Sequence, residues 1–193
     1  MAASSMLNLP NFLTLIRILT IPFFLVYLAY HRYLEALIIF IFGGVTDFLD
    51  GLLARWTNQQ TPLGAFLDPV ADKLLVLASY LMLSFIEGIP MWLTVVVISR
   101  DAILVLGFII IHLMWNERPE IKPTRIGKWS TTFQLLTLGV ALAFLHQPDI
   151  LPPPVLDVLI WVTSLATIVS GLQYLYRGFL WLQNKAPSLT RLG

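Results

Sequence analysis

Long apolar runs separated by short polar joints organise this chain. The runs cover residues 12–30, 33–55, 62–86, 90–115, 129–145 and 154–182, and the first is interrupted only by Arg17. The joints are His31-Arg32, residues 56–61, Glu87-Gly88, residues 116–128 and residues 146–153. A helix needs ~20 apolar residues to cross a ~30 Å hydrocarbon layer, and each run is close to that length. In lipid, only a structure that satisfies its own backbone hydrogen bonds can span, which makes these runs helices. Pro10 suits the first turn of the first helix, with Asn8 as its cap. The pattern predicts an all-α polytopic membrane protein of six transmembrane helices, forming one membrane-embedded domain over residues 1–193.

Composition agrees and narrows the function classes. Of 193 residues, 58% are hydrophobic and 12% charged, with none of them cysteine, whereas a soluble chain carries ~25% charged residues. The mean hydropathy is +0.80. Too little polar chain remains for a soluble enzyme domain or a nucleic-acid binder, and a secreted disulfide scaffold is excluded outright. Residues 1–7 show no basic segment and no small-residue cleavage site, so no signal peptide is expected. Net charge is +1, but the cations are unevenly placed. Six spans put Arg55, Arg118, Lys122, Arg125, Lys128, Arg177, Lys185 and Arg191 on one side, and only Arg32 on the other. The positive-inside rule then makes both termini cytoplasmic, and a cell inner membrane is the expected location.

Five acids lie within the runs: Asp47, Asp50, Asp68, Asp72 and Asp101. A carboxylate at bilayer depth is expensive and marks a functional site by default. Simple pairing is the bland alternative: Asp50 with Arg55, Asp72 with Lys73, Asp101 with Arg100. Four of the acids fall within 26 residues, however. At ~100° per residue, Asp47, Asp50 and Ala54 share one arc of a helix, and Gly64, Asp68 and Asp72 form a narrow stripe on the next. A short loop joins these two helices, so the expected product is a four-carboxylate cluster at one depth. Such a cluster cannot stay ionised without counter-charge. Arg55 and Lys73 are too few, and all-oxygen ligation points to magnesium or manganese, one or two ions. Gly51, Ala54 and Gly64 admit a flat ligand or, equally, close helix packing. Pro69 removes a backbone donor and permits a kink.

Read together, the segment Asp47-x2-Asp50-Gly51-x2-Ala54-Arg55-x8-Gly64-x3-Asp68-x3-Asp72 resembles the signature of the CDP-alcohol phosphatidyltransferases. Eight fixed residues at ordinary usage coincide by chance on the order of once in 10¹⁰ starting positions. The amino-terminal Leu9-Pro10-Asn11-x2-Thr14-x2-Arg17 stretch is similar to that of bacterial members. The resemblance implies transfer of a phosphatidyl group from CDP-diacylglycerol to an alcohol, with release of CMP. It implies metal ligation by Asp47, Asp50, Asp68 and Asp72, with Asp72 as the general base. It also implies room for the cytidine nucleotide at Gly51, Ala54 and Gly64, phosphate contact by Arg55, and a homodimer.

Two acceptors are weighed. Phosphatidylglycerophosphate synthases, which use glycerol 3-phosphate, resemble one another in an arginine two turns after an Arg-Glu pair and in a Gly-Lys-x-Lys-Thr stretch. Here the pair is Arg100-Asp101, no arginine stands near Phe108, and the later stretch is Gly127-Lys128-Trp129-Ser130-Thr131. These departures, and Gln134, resemble the CMP-forming cardiolipin synthases and favour phosphatidylglycerol as acceptor; glycerol 3-phosphate is the alternative. Gly127 points the other way. Arg100, Arg125 and Lys128 are candidates for acceptor phosphate, against ion pairing for Arg100 and interfacial anchoring for the other two. Arg17 is a candidate for donor phosphate, or snorkels to the interface. His112 reads as packed, and Lys73 as a structural ion pair. Remoter readings are an intramembrane prenyltransferase and a divalent-cation transporter.

Overall fold

A computed structural model describes residues 9–57, 62–115, 124–152 and 154–185; side chains are described for 15–46, 71–107, 109–111, 113, 124–152 and 154–183. Six α-helices and one 3-10 turn lie among these residues: α1 (Leu9–Ala29), α2 (Tyr33–Thr57), α3 (Pro62–Phe85), α4 (Met91–Trp115), α5 (Arg125–His146), the turn Pro148–Ile150, and α6 (Pro154–Lys185). Each predicted run is a helix, and the boundaries agree within a few residues. The largest shift is at α5, which begins four residues before its apolar run. Thr124 explains it: its Oγ1 accepts the backbone N–H of Gly127 at 2.9 Å, a side-chain cap that starts the helix on polar residues.

The chain packs as two compact units, Met1–Ile89 with Leu138–Pro153, and Pro90–Thr137 with Pro154–Gly193. In the first, α1 lies against both α2 and α3. Phe24, Leu28, Ala36, Tyr80, Leu83 and Leu142 are buried there, with the Phe24 and Phe40 rings 6.4 Å apart. In the second, α4 packs on α6, and α5 joins α6 through a seam of buried polar side chains. Thr137 and Thr163 hydroxyls are 2.7 Å apart, those of Ser130 and Thr167 3.1 Å, and Gln134 donates to Thr167 at 3.2 Å.

Polarity is distributed differently from a water-soluble fold. Arginine, glutamine, serine and threonine side chains are buried beside the apolar core, while leucine, isoleucine, valine and phenylalanine cover the outward faces, Leu113 at 77% exposure among them. Lipid accounts for both halves. Apolar exteriors are solvated by acyl chains, and helices without a hydrophobic drive between them associate through small residues and interhelical hydrogen bonds. Residues 91–111 and 154–183 are long and apolar enough to cross a membrane, and residues 15–29 and 33–46 form shorter apolar helical stretches.

Two turns close with a Schellman motif. After α1 the N–H of Arg32 bonds the carbonyl of Tyr27 at 2.8 Å; after α3 that of Gly88 bonds Leu83 at 2.8 Å. The left-handed residues are His31 (φ 57) and Glu87 (φ 59), neither of them glycine. Gly88 stands one place later for a steric reason. A Cβ there would lie 2.8 Å from Leu145 Cδ1 and 3.4 Å from the Leu83 carbonyl oxygen. Glu87 carries the strained conformation with its side chain exposed. Relieving it by Glu87→Gly is expected to raise stability by about 0.5–1 kcal/mol, the left-handed penalty less the extra flexibility of glycine in the unfolded chain. Reversible unfolding in mixed detergent micelles reads this directly.

Candidate active site

The acidic segment spans the end of one helix and the start of the next. Asp47, Asp50, Gly51, Ala54 and Arg55 lie on the last half of α2, and Gly64, Asp68 and Asp72 on the first half of α3. Helical backbone runs through both segments, including position 69, so the three- and four-residue spacings of the aspartates stay helical spacings. Thr57 and Pro62 are five residues apart, at most ~18 Å of extended chain, so the two helix ends are held near one another by chain length alone. The side chains of Asp47, Asp50, Gly51, Ala54, Arg55, Gly64 and Asp68 lie outside the described residues. Asp72 is the signature carboxylate whose surroundings are described.

Asp72 is met by Arg17. The guanidinium Nη1 donates to Asp72 Oδ1 at 2.8 Å, joining α1 to α3. Arg17 is only 2% exposed, whereas the Asp72 side chain is 47% exposed. A buried arginine and a half-open carboxylate thus form a charge-assisted bond in apolar surroundings. The sequence reading counted Arg55 and Lys73 as the cations available to the acids and offered Lys73 as the partner of Asp72. Arg17 is a cation at Asp72 that this count left out, and its burial excludes the snorkelling alternative. Depth was the signal that could have found it. Arg17 lies roughly 12 Å along α1 from Leu9, and Asp72 roughly 15 Å along α3 from Pro62.

Oxygen-only donors on two neighbouring helix ends fit a hard divalent ion such as magnesium or manganese. Among the described residues no group of three or more histidines, cysteines, aspartates or glutamates gathers, and three of the four signature carboxylates fall outside them.

The remaining candidates lie in the second unit. Arg100 is 7% exposed and donates from Nη1 to Asp101 at 2.7 Å and from Nη2 to Ser170 at 3.0 Å. Its guanidinium lies 5.6 Å from the Tyr174 ring centre, and Gly171 leaves room for its stem, with Arg100 Cγ 3.5 Å from where a Cβ would sit. The pairing alternative for Arg100 is therefore realised. Arg125 and Lys128 are exposed on the first turn of α5. Ser130, which replaces the second lysine of the synthase-like stretch, is fully buried against Thr167. The side chain of His112 lies outside the described residues.

Comparison with known proteins gives this geometry its chemistry. A sequence profile of the CDP-alcohol phosphatidyltransferases matches residues 7–169. The chain is 38% identical to a Haemophilus influenzae protein named CDP-diacylglycerol–glycerol-3-phosphate 3-phosphatidyltransferase, over 87% of this chain and 91% of the relative. It is 33% identical to the Bacillus subtilis protein of the same name, over 88% and 94%. It is also 32% identical to a human CMP-forming cardiolipin synthase, over 89% of this chain and 62% of the relative. The chain belongs to the CDP-alcohol phosphatidyltransferase family and is a membrane enzyme that transfers phosphatidyl groups.

Proposed function

We propose that this enzyme transfers the phosphatidyl group of CDP-diacylglycerol to glycerol 3-phosphate, making phosphatidylglycerophosphate and CMP. The relatives carry the choice of acceptor. Those named for glycerol 3-phosphate reach 39% identity in a Pseudomonas fluorescens protein and 38% in the Haemophilus protein, and the Haemophilus and Bacillus relatives match over nine-tenths of their own length. This reverses the preference for phosphatidylglycerol that the departures in the fourth and fifth runs favoured. One observation still speaks for that second reading. Ser130 occupies a buried, hydroxyl-lined position where a phosphate-binding lysine would be costly.

In this reading a hydroxyl oxygen of the acceptor attacks the phosphorus that bears diacylglycerol. The new phosphorus–oxygen bond forms as the bond to the bridging oxygen breaks, and CMP departs with that electron pair. The hydroxyl proton passes to the carboxylate of Asp72, because a neutral alcohol needs a base. Asp47, Asp50 and Asp68, with Asp72, are the residues that hold magnesium or manganese. A bound divalent ion there neutralises the pyrophosphate and the charge developing on the departing oxygen. Arg55 steadies phosphate, and Gly51, Ala54 and Gly64 leave room for the nucleotide. Arg125 and Lys128, exposed at the start of α5, attract the dianionic acceptor, while Arg100 stays bound to Asp101 and Ser170. Residues 1–193 act as one membrane-embedded domain with six crossings, as a homodimer in the inner membrane. Both termini and the site face the cytoplasm, a reading supported by the uneven placement of lysine and arginine along the sequence.

Three outcomes are expected. Asp72→Asn retains an oxygen for Arg17 but loses basicity; turnover should fall by about 10²–10⁴-fold, the span a general base supplies, while CDP-lipid binding persists. Wild-type CMP release by that variant would remove Asp72 from the role. Chelator-treated enzyme should be inert until magnesium or manganese is restored, and activity surviving rigorous chelation would end the metal assignment. Supplied with labelled CDP-diacylglycerol and either acceptor, the purified enzyme should convert glycerol 3-phosphate; cardiolipin formed from phosphatidylglycerol instead would establish the second reading.

A further inference from the structure

The mechanism above leaves the orientation of Asp72 unexplained. An aspartate has a broad, roughly two-fold terminal torsion, and this one is 47% exposed, so nothing intrinsic points its oxygens in one direction. Arg17 does. Its Nη1 holds Oδ1 at 2.8 Å from a different helix, across 55 residues of sequence.

The anchor itself is rigid. Arg17 is 2% exposed, and Phe24 and Leu28, two and three turns along α1, are fully buried. α1 is the element of this unit that packs against both α2 and α3. The carbonyl of Arg17 also accepts the hydroxyl of Thr20 at 2.8 Å. A charged side chain this deeply buried is retained only with a partner, and the charge-assisted bond from Nη1 holds Oδ1 in place.

We infer that Arg17 is the positioning residue for Asp72, holding Oδ1 so that the carboxylate meets the acceptor hydroxyl. The inference rests on Asp72 serving as the base. Arg17 touches neither acceptor nor donor in this role, which separates it from the phosphate-binding role suggested for it by sequence. A phosphate ligand would govern donor affinity. A positioning residue governs turnover, because a misplacement of about 1 Å costs about 100-fold in rate.

The full-length enzyme in lipid nanodiscs supplies the test, with Arg17→Met, Arg17→Gln, Arg17→Lys and Asp72→Asn compared by CMP release. Equilibrium binding of CDP-diacylglycerol, measured with magnesium and without acceptor, gives a second readout that needs no turnover. For Arg17→Met, kcat should drop about 100-fold with Kd and KM for CDP-diacylglycerol unchanged, and Arg17→Lys should regain part of the loss. Should Arg17→Met fail to fold, Arg17→Gln carries the same expectation. Wild-type kcat in the neutral variants overturns the inference, as does a weakened donor Kd with kcat preserved. If Asp72→Asn alone keeps wild-type turnover, the base assignment fails first and takes this inference with it.

Discussion

A guanidinium buried among packed helices must be offered a negative partner, and Arg17 is only 2% exposed. Water cannot supply that partner in the interior. The fold answers with Asp72 on α3, which α1 brings Arg17 to meet. The packing of α1 against both neighbours fixes where that cation lies. Charge compensation and helix packing are thus one arrangement: the interaction that compensates Arg17 also joins two helices of the same unit.

The second unit meets the same constraint differently. Arg100 finds Asp101 on its own helix, Ser170 on α6 and the face of Tyr174. Below it, threonines, serine and Gln134 bond across the α5–α6 contact. These groups satisfy one another inside the protein, leaving apolar side chains to face outward. The contrast between the two arginines is informative. Arg100 is shared among several neutral and charged partners, whereas Arg17 grips a half-open carboxylate.

Much of this was legible in the sequence. The apolar runs gave all six helices, because in lipid the length of a run is nearly equivalent to a span. The eight-residue signature named the family before any fold was known. What escaped was long-range and local at once. No periodicity brings Arg17 to Asp72, since the contact joins residues 55 apart and depends on which helices pack together. The early start of α5 was hidden because Thr124 caps it while Arg125 and Lys128 lie outside the apolar run. The turn at Glu87 ran against glycine preference because Gly88 was already required for its missing Cβ. The acceptor was the least legible feature, because Ser130, where a phosphate-binding lysine would stand, is a buried partner of Thr167, and burial there follows from helix packing as readily as from substrate choice.

The most direct test of this account is anomalous scattering from crystals of the enzyme grown with CDP and manganese. The account predicts an ion bounded by the carboxylates of Asp47, Asp50 and Asp68 and close to the pyrophosphate, with Asp72 beside it and still held by Arg17. An ordered nucleotide with no anomalous peak among those aspartates would contradict it.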